Sequence, residues 1–118
     1  MKIEVRHDHH IEANARLIDY VKSHLTAEFD RHSSRLTHLE VHLSDENAGK
    51  HGDHDKKCMI EARSAGLKPV AVSARAGTVE QALEAAIDKL HHLLEHQEGK
   101  ANAHRHDSLD KHQLPDPI

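Results

Sequence analysis

Fifteen histidines stand among 118 residues, beside twenty carboxylates and a single cysteine. Imidazole and carboxylate are metal ligands, and imidazole is also the side chain that titrates closest to neutrality. The densest cluster is SDENAGKHGDHDKK, residues 44–57, with four carboxylates, two histidines and two glycines. An EF-hand loop needs oxygen ligands at its first, third and fifth positions, glycine at the sixth and glutamate at the twelfth. Counted from Asp45, the fifth position is Gly49, the sixth Lys50 and the twelfth Lys56, so the match fails. A structural zinc site wants four Cys or His ligands at set spacing. One cysteine does not supply the usual sulfur set, and no HExxH occurs. His51 and His54 with Asp53 and Asp55, or His7, His9 and His10, amount at most to weak sites. No metal and no other cofactor is expected, and residues 44–57 read as a polar hairpin loop of ordinary turn formers.

Cys58 falls on the apolar side of its strand with Ile60 and reads as core. No nucleophile–base pair is identifiable, so nothing indicates an enzyme, and no small-molecule substrate is expected. Charge is more informative. The formal net charge is −4 with histidine neutral. With ordinary imidazole values near 6.5, roughly three quarters of the histidines are charged at pH 6, which moves the net charge to about +7; at pH 7.5 it stays near −3. The electrostatics therefore depend strongly on pH. The opening MKIEVRHDHH has no apolar run for a signal peptide, and no stretch reaches the ~18 apolar residues of a membrane span. The expectation is a cytoplasmic protein without membrane contact.

These side chains need elements to position them. Ile3 and Val5 alternate with Lys2, Glu4 and Arg6, which predicts a half-buried strand over 2–7. HDHHIEA is a polar connection, and Asn14 is the N-cap of a helix whose stripe is Leu17, Ile18, Val21, Leu25 and Phe29. DRHSSR breaks that pattern. Alternation returns at 36–43 (Leu39, Val41 and Leu43 against His38, Glu40 and His42), at 57–64 and at 70–75. AGLKP is a turn between the last two strands. TVEQ, residues 78–81, has the capping-box pattern, and Val79, Leu83, Ala86, Ile87, Leu90 and Leu94 form the stripe of a second helix. Gly99 reads as its stop, which gives a domain over 1–98 and a polar, disordered tail over 99–118.

The order β-α-β-β-β-α makes an α+β fold. Two helices with one apolar stripe each cover one face of a four-stranded sheet, and the other face is charged and solvated. Side by side, the helices merge their outward faces into one surface. The first contributes Arg16, Lys22 and His24, followed by Arg31, His32 and Arg35; the second contributes Lys89, His91, His92 and His96, then Lys100. Such a surface reads either as a solvated helix face or as a weakly basic, pH-dependent rail for phosphates.

The element order, together with KIEV, VHLSDEN, CMIEAR and AAIDKLHHLLEH, resembles the ribosome hibernation promoting factor family. That family includes ribosome-associated inhibitor A and is also labelled ribosomal subunit interface or sigma-54 modulation proteins. The resemblance covers roughly residues 1–100, in a short, single-domain form. It implies a layout similar to double-stranded RNA-binding domains. It also implies a partner, the small (30S) ribosomal subunit with its 16S rRNA, which relatives occupy in the channel used by mRNA and tRNA. They block translation or favour inactive ribosome dimers when growth stops. The basic helix positions of the family match Lys22, His24, Lys89, His92, His96 and Lys100 here, with Arg31, Arg35, Lys56 and Lys57 as outlying contributors. Relatives tend to carry Lys or Arg where this chain has His24, His92 and His96, so binding through phosphates becomes conditional on acidity. Exposed strand aromatics that would stack bases are missing, which leaves shape and phosphate recognition of folded RNA. Two rivals use the same fold: a histidine-rich metal-binding protein, and a stress-response interaction module working through the open sheet face. The oligomeric state is left open.

Overall fold

Alternating apolar residues become one face of a sheet. The computed structural model describes residues 1–9, 11, 13–32, 35–46 and 55–109, with the backbone alone over 98–109. The elements are β1 (Lys2–His7), α1 (Ala15–Phe29), a 3₁₀ turn (Asp30–His32), β2 (Leu36–Asp45), β3 (Lys56–Ser64), β4 (Val70–Ala76) and α2 (Val79–Leu109). The sheet order is β1-β2-β3-β4. β1 runs parallel to β2, and the remaining pairs are antiparallel. A parallel pair needs a crossover, and α1 supplies it.

Register places the apolar residues in rows. Ile3, Leu39, Ala62 and Val70 lie side by side, as do Val5, Val41, Ile60 and Val72. Val21, Leu25 and Phe29 of α1 and Leu83, Ile87 and Leu90 of α2 close over these rows in a single core. Both helices therefore cover one face, as the two stripes require. Ile18 and Leu17, at the start of the α1 stripe, are only half-buried. Cys58 lies in the core, and burial pushes its thiol up to about 12, so it is neither a thiolate nucleophile nor a ready metal ligand.

The caps form where the sequence puts them. The Leu17 amide donates to Asn14 Oδ1 at 2.9 Å, and the Gln81 amide donates to Thr78 Oγ1 at 3.1 Å. Gly66 takes φ +78°, and the Leu67 amide donates to the Ser64 carbonyl at 3.2 Å, closing the tight turn from β3 to β4. Only glycine adopts that backbone cheaply.

Three expectations change. Helix α2 does not stop at Gly99 but continues to Leu109. A glycine inside a helix costs only about 1 kcal/mol relative to alanine, and Lys100, Ala101, Ala103 and Arg105 are good helix formers. Within the polar connection Ile11 is buried, and its amide donates to the carbonyl and carboxylate of Asp8. Asp8 also accepts from the Asp45 amide, tying the link to the end of β2. His32 is buried at 8% exposure instead of standing among the surface cations. Residues 47–54, the middle of the expected hairpin loop, and residues 110–118 of the expected tail lie outside the described residues. So does His10.

Candidate nucleic-acid interface

The two helices meet along a seam of paired side chains. His24 Nε2 donates to Glu84 Oε2 at 2.8 Å, His91 Nε2 donates to Glu28 Oε1 at 3.0 Å, and Arg31 Nη2 donates to Glu95 Oε2 at 3.3 Å. Partner numbers rise together on both helices, so the seam aligns them in the same direction. Helical spacing explains the set. His24, Glu28 and Arg31 fall at i, i+4 and i+7, the spacing of one helix face continued into the 3₁₀ turn. Glu84, His91 and Glu95 fall at i, i+7 and i+11, likewise one face of α2. Exposed pairs of this kind each add little stability, but three in a row fix how the helices sit.

Under the seam, aromatic rings stack. Phe29 lies 4.4 Å from the His91 ring, centroid to centroid, and His32 lies 6.3 Å from it. Among the described residues, His91 Nδ1 is buried without a hydrogen-bond partner. Sequence spacing puts His91 on the outward rail; the structure turns it into the seam, because it follows the apolar Leu90 toward Phe29. It is therefore part of the architecture and not of the open surface.

The expected contact residues divide into groups. Lys22 and His96 are exposed on their helices. His92 is exposed as well, with its Nδ1 donating to the Asp88 carbonyl at 2.9 Å, which leaves Nε2 facing outward. His24 and Arg31 belong to the seam and have carboxylate partners. Lys89 turns to the sheet edge, where its Nζ donates to the Ser73 carbonyl at 2.7 Å. Arg35 is half-buried at the far end of the seam, beside Leu94 and Gln97. Lys56 is held by Asp45 at 3.2 Å and Asp55 at 3.4 Å, and Lys57 lies 4.0 Å from Glu46, itself 2.7 Å from Arg75. The Asp45 and Asp55 hydrogen bonds raise the Lys56 pKa. The backbone carries Lys100 within α2, and its side chain lies outside the described residues. Lys22, His92 and His96 are thus exposed on the two helices and His24 lies in the seam between them, whereas Lys56, Lys57 and Arg35 lie toward the helix ends.

Sequence spacing assigns no role to Tyr20. It is 39% exposed and stacks on His24, with centroids 5.5 Å apart and planes 8° from parallel. It also borders a groove of about 690 Å³ at the N-terminal ends of the two helices, lined by Ile11, Arg16, Leu17, Lys56 and Val79 among others. The available signal was an aromatic residue off the apolar stripe of α1. Among the described side chains on the outer surface of the helices, carboxylates outnumber fixed cations: Asp19, Glu28, Asp30, Glu80, Glu84, Asp88 and Glu95 stand against Arg16, Lys22, Arg31 and Lys89.

The family model described as sigma 54 modulation protein / S30EA ribosomal protein matches residues 4–102. Among solved structures, the chain is similar to the N-terminal domain of Protein Y from Thermus thermophilus, at 26% identity and a TM-score of 0.61, covering 76% of this chain and 91% of that one. It also shares its fold with a ribosomal subunit interface protein from Coxiella burnetii, at 10% identity and a TM-score of 0.65, over 84% of this chain and 99% of that one. No curated protein matches the chain. Among the described residues, no helix is long and apolar enough to cross a membrane.

Proposed function

Because the chain belongs to the sigma 54 modulation protein / S30EA ribosomal protein family, a group of ribosome-associated factors, we propose that it binds the small (30S) ribosomal subunit through 16S rRNA and silences it by occupying space, without catalysis. The observation that carries this reading is the ridge: two parallel helices on one sheet face, joined by three cross-helix pairs, with Lys22, His92 and His96 exposed on them. A polar ridge of this kind suits folded RNA read by shape and phosphate position. Tyr20 adds the exposed aromatic that the strands lack.

The histidines tune the binding. At neutral pH the fixed cations of the ridge are offset by its carboxylates, so few phosphates gain from contact. The exposed histidines of the ridge, His92 and His96, are the groups this tuning acts through. His24 faces Glu84 from α2 and Tyr20 from its own helix. Each cation that meets a phosphate releases roughly one counterion, so binding rises steeply with their number. The test is co-sedimentation of the full chain with 70S ribosomes at pH 6.0 and 7.5 and constant salt. Higher occupancy at pH 6.0 is expected. Equal occupancy removes the tuning, and no occupancy at either pH removes the ribosome.

A further inference from the structure

The face of the sheet turned away from the helices carries a pattern set by strand register. Glu4, Glu40 and Glu61 lie side by side across β1, β2 and β3. Like charges directly opposite one another destabilise a sheet, so this row needs cations. Arg6 answers part of the need: its Nε is 2.5 Å from Glu40 Oε2 and its Nη2 is 3.7 Å from Glu4 Oε2. His38 Nε2 stands 2.9 Å from Glu4 Oε1. Glu61 has no ion pair among the described residues. His42, two positions along β2 from Glu40 and therefore on the same face, brings Nε2 to 3.5 Å from Glu40 Oε1. Glu40, His42 and Glu61 are all half-buried, and each offers a ligand atom within 4.8 Å of the other two.

We propose that Glu40, His42 and Glu61 form a binding site for a divalent transition-metal cation of the zinc type, on the sheet face remote from the helix ridge. The donor set decides the class. Calcium takes six to eight oxygen ligands, and magnesium keeps an octahedron of oxygens, mostly water. Two carboxylates and one imidazole suit a borderline cation that takes three protein ligands and a water. Zinc–ligand bonds of about 2.0–2.2 Å put the donors of a tetrahedron roughly 3.3 Å apart. The Glu40–His42 pair already stands near that separation, and Glu61 reaches it by a rotation of its long side chain.

The frame is stiff. Two ligands come from alternate positions of one strand and the third from the directly opposed residue of the next, so backbone pairing sets the spacing. Arg6 supports the site from behind. It holds the Glu40 oxygen that does not face His42, which orients the carboxylate as hydrogen-bonded supporting groups do around bound metals. A cation between Glu40 and Glu61 supplies the charge that Glu61 lacks. The site is independent of the histidine clusters that sequence spacing offered, at residues 7–10 and 51–55.

The test is a titration of the full chain with zinc chloride at pH 7.5, followed by calorimetry and by NMR of the histidine ring nitrogens. The first equivalent is expected to shift the His42 Nε2 resonance. His42→Ala and the nearly isosteric Glu61→Gln are expected to weaken that first equivalent at least tenfold, with circular dichroism unchanged. If the first equivalent leaves His42 unmoved and goes to other histidines, the site does not exist. If Glu61→Gln binds the first equivalent as tightly as the wild type, the three-ligand site is also wrong.

Discussion

The helix ridge and the outer sheet face use the same side chains for different ends. On the ridge, His24–Glu84, Glu28–His91 and Arg31–Glu95 each join two separate elements. On the sheet, His38–Glu4, His42–Glu40 and Arg6–Glu40 lie within a surface whose register the backbone has already fixed. Pairs of the first kind join the two helices, and one of them, Glu28–His91, rests on the buried Phe29 ring. Pairs of the second kind only balance a row of carboxylates, and among the described residues they leave one of them, Glu61, without an ion pair. A histidine beside a glutamate thus means a joint in one place and a charge deficit in the other.

Replacing the support beneath the seam should have the largest effect. Phe29 is fully buried and stacks on His91. Phe29→Ala is expected to cost about 3–5 kcal/mol in urea denaturation, and to release the His91 ring signals from their native positions. Capping comes next: Thr78→Ala removes the acceptor of the Gln81 amide and is expected to cost about 1 kcal/mol, read as a lower Tm.

On the sheet the expected effects are smaller and depend on pH. The Arg6 hydrogen bond is the largest cause of the fall of the Glu40 carboxyl from 4.5 to about 2. A carboxylate depressed in the folded state stabilises it above the unfolded value. That stability is lost as the pH falls from about 4.5 toward 2. Arg6→Met is therefore expected to flatten the acid limb of the stability profile over this range, measured as urea midpoints against pH. An unchanged limb would mean that the pair does not hold Glu40. The smallest effect is expected for Glu61→Gln without metal, which should change stability by no more than about 0.5 kcal/mol. It removes a repulsion and no ion pair.

Much of the fold was legible because it follows from local pattern. Ile3 and Val5, Leu39 to Leu43 and the stripe from Leu83 to Leu94 announce their buried faces by period alone, and Asn14 and Thr78 announce the caps by residue type. The family could be read from KIEV, VHLSDEN and CMIEAR in order. What was not legible depends on tertiary contact. His32 and His91 look like surface residues until Phe29 is placed against His91. The seam needs the relative alignment of two helices, which no spacing within either one reveals. The glutamate row needs the register of three strands. Gly99 misled because propensity on both sides outweighs one glycine.

Charge reversal on each surface in turn gives the most direct measurement. The full chain, Lys22→Glu on the ridge and Arg63→Glu on the outer sheet face are compared by co-sedimentation with 70S ribosomes at pH 6.0 over a range of salt. Lys22→Glu is expected to lower occupancy several-fold and to reduce the salt slope by about one unit, while Arg63→Glu sediments like the unaltered chain. Loss of binding with Arg63→Glu, or none with Lys22→Glu, would place the ribosome contact on the sheet and contradict the ridge.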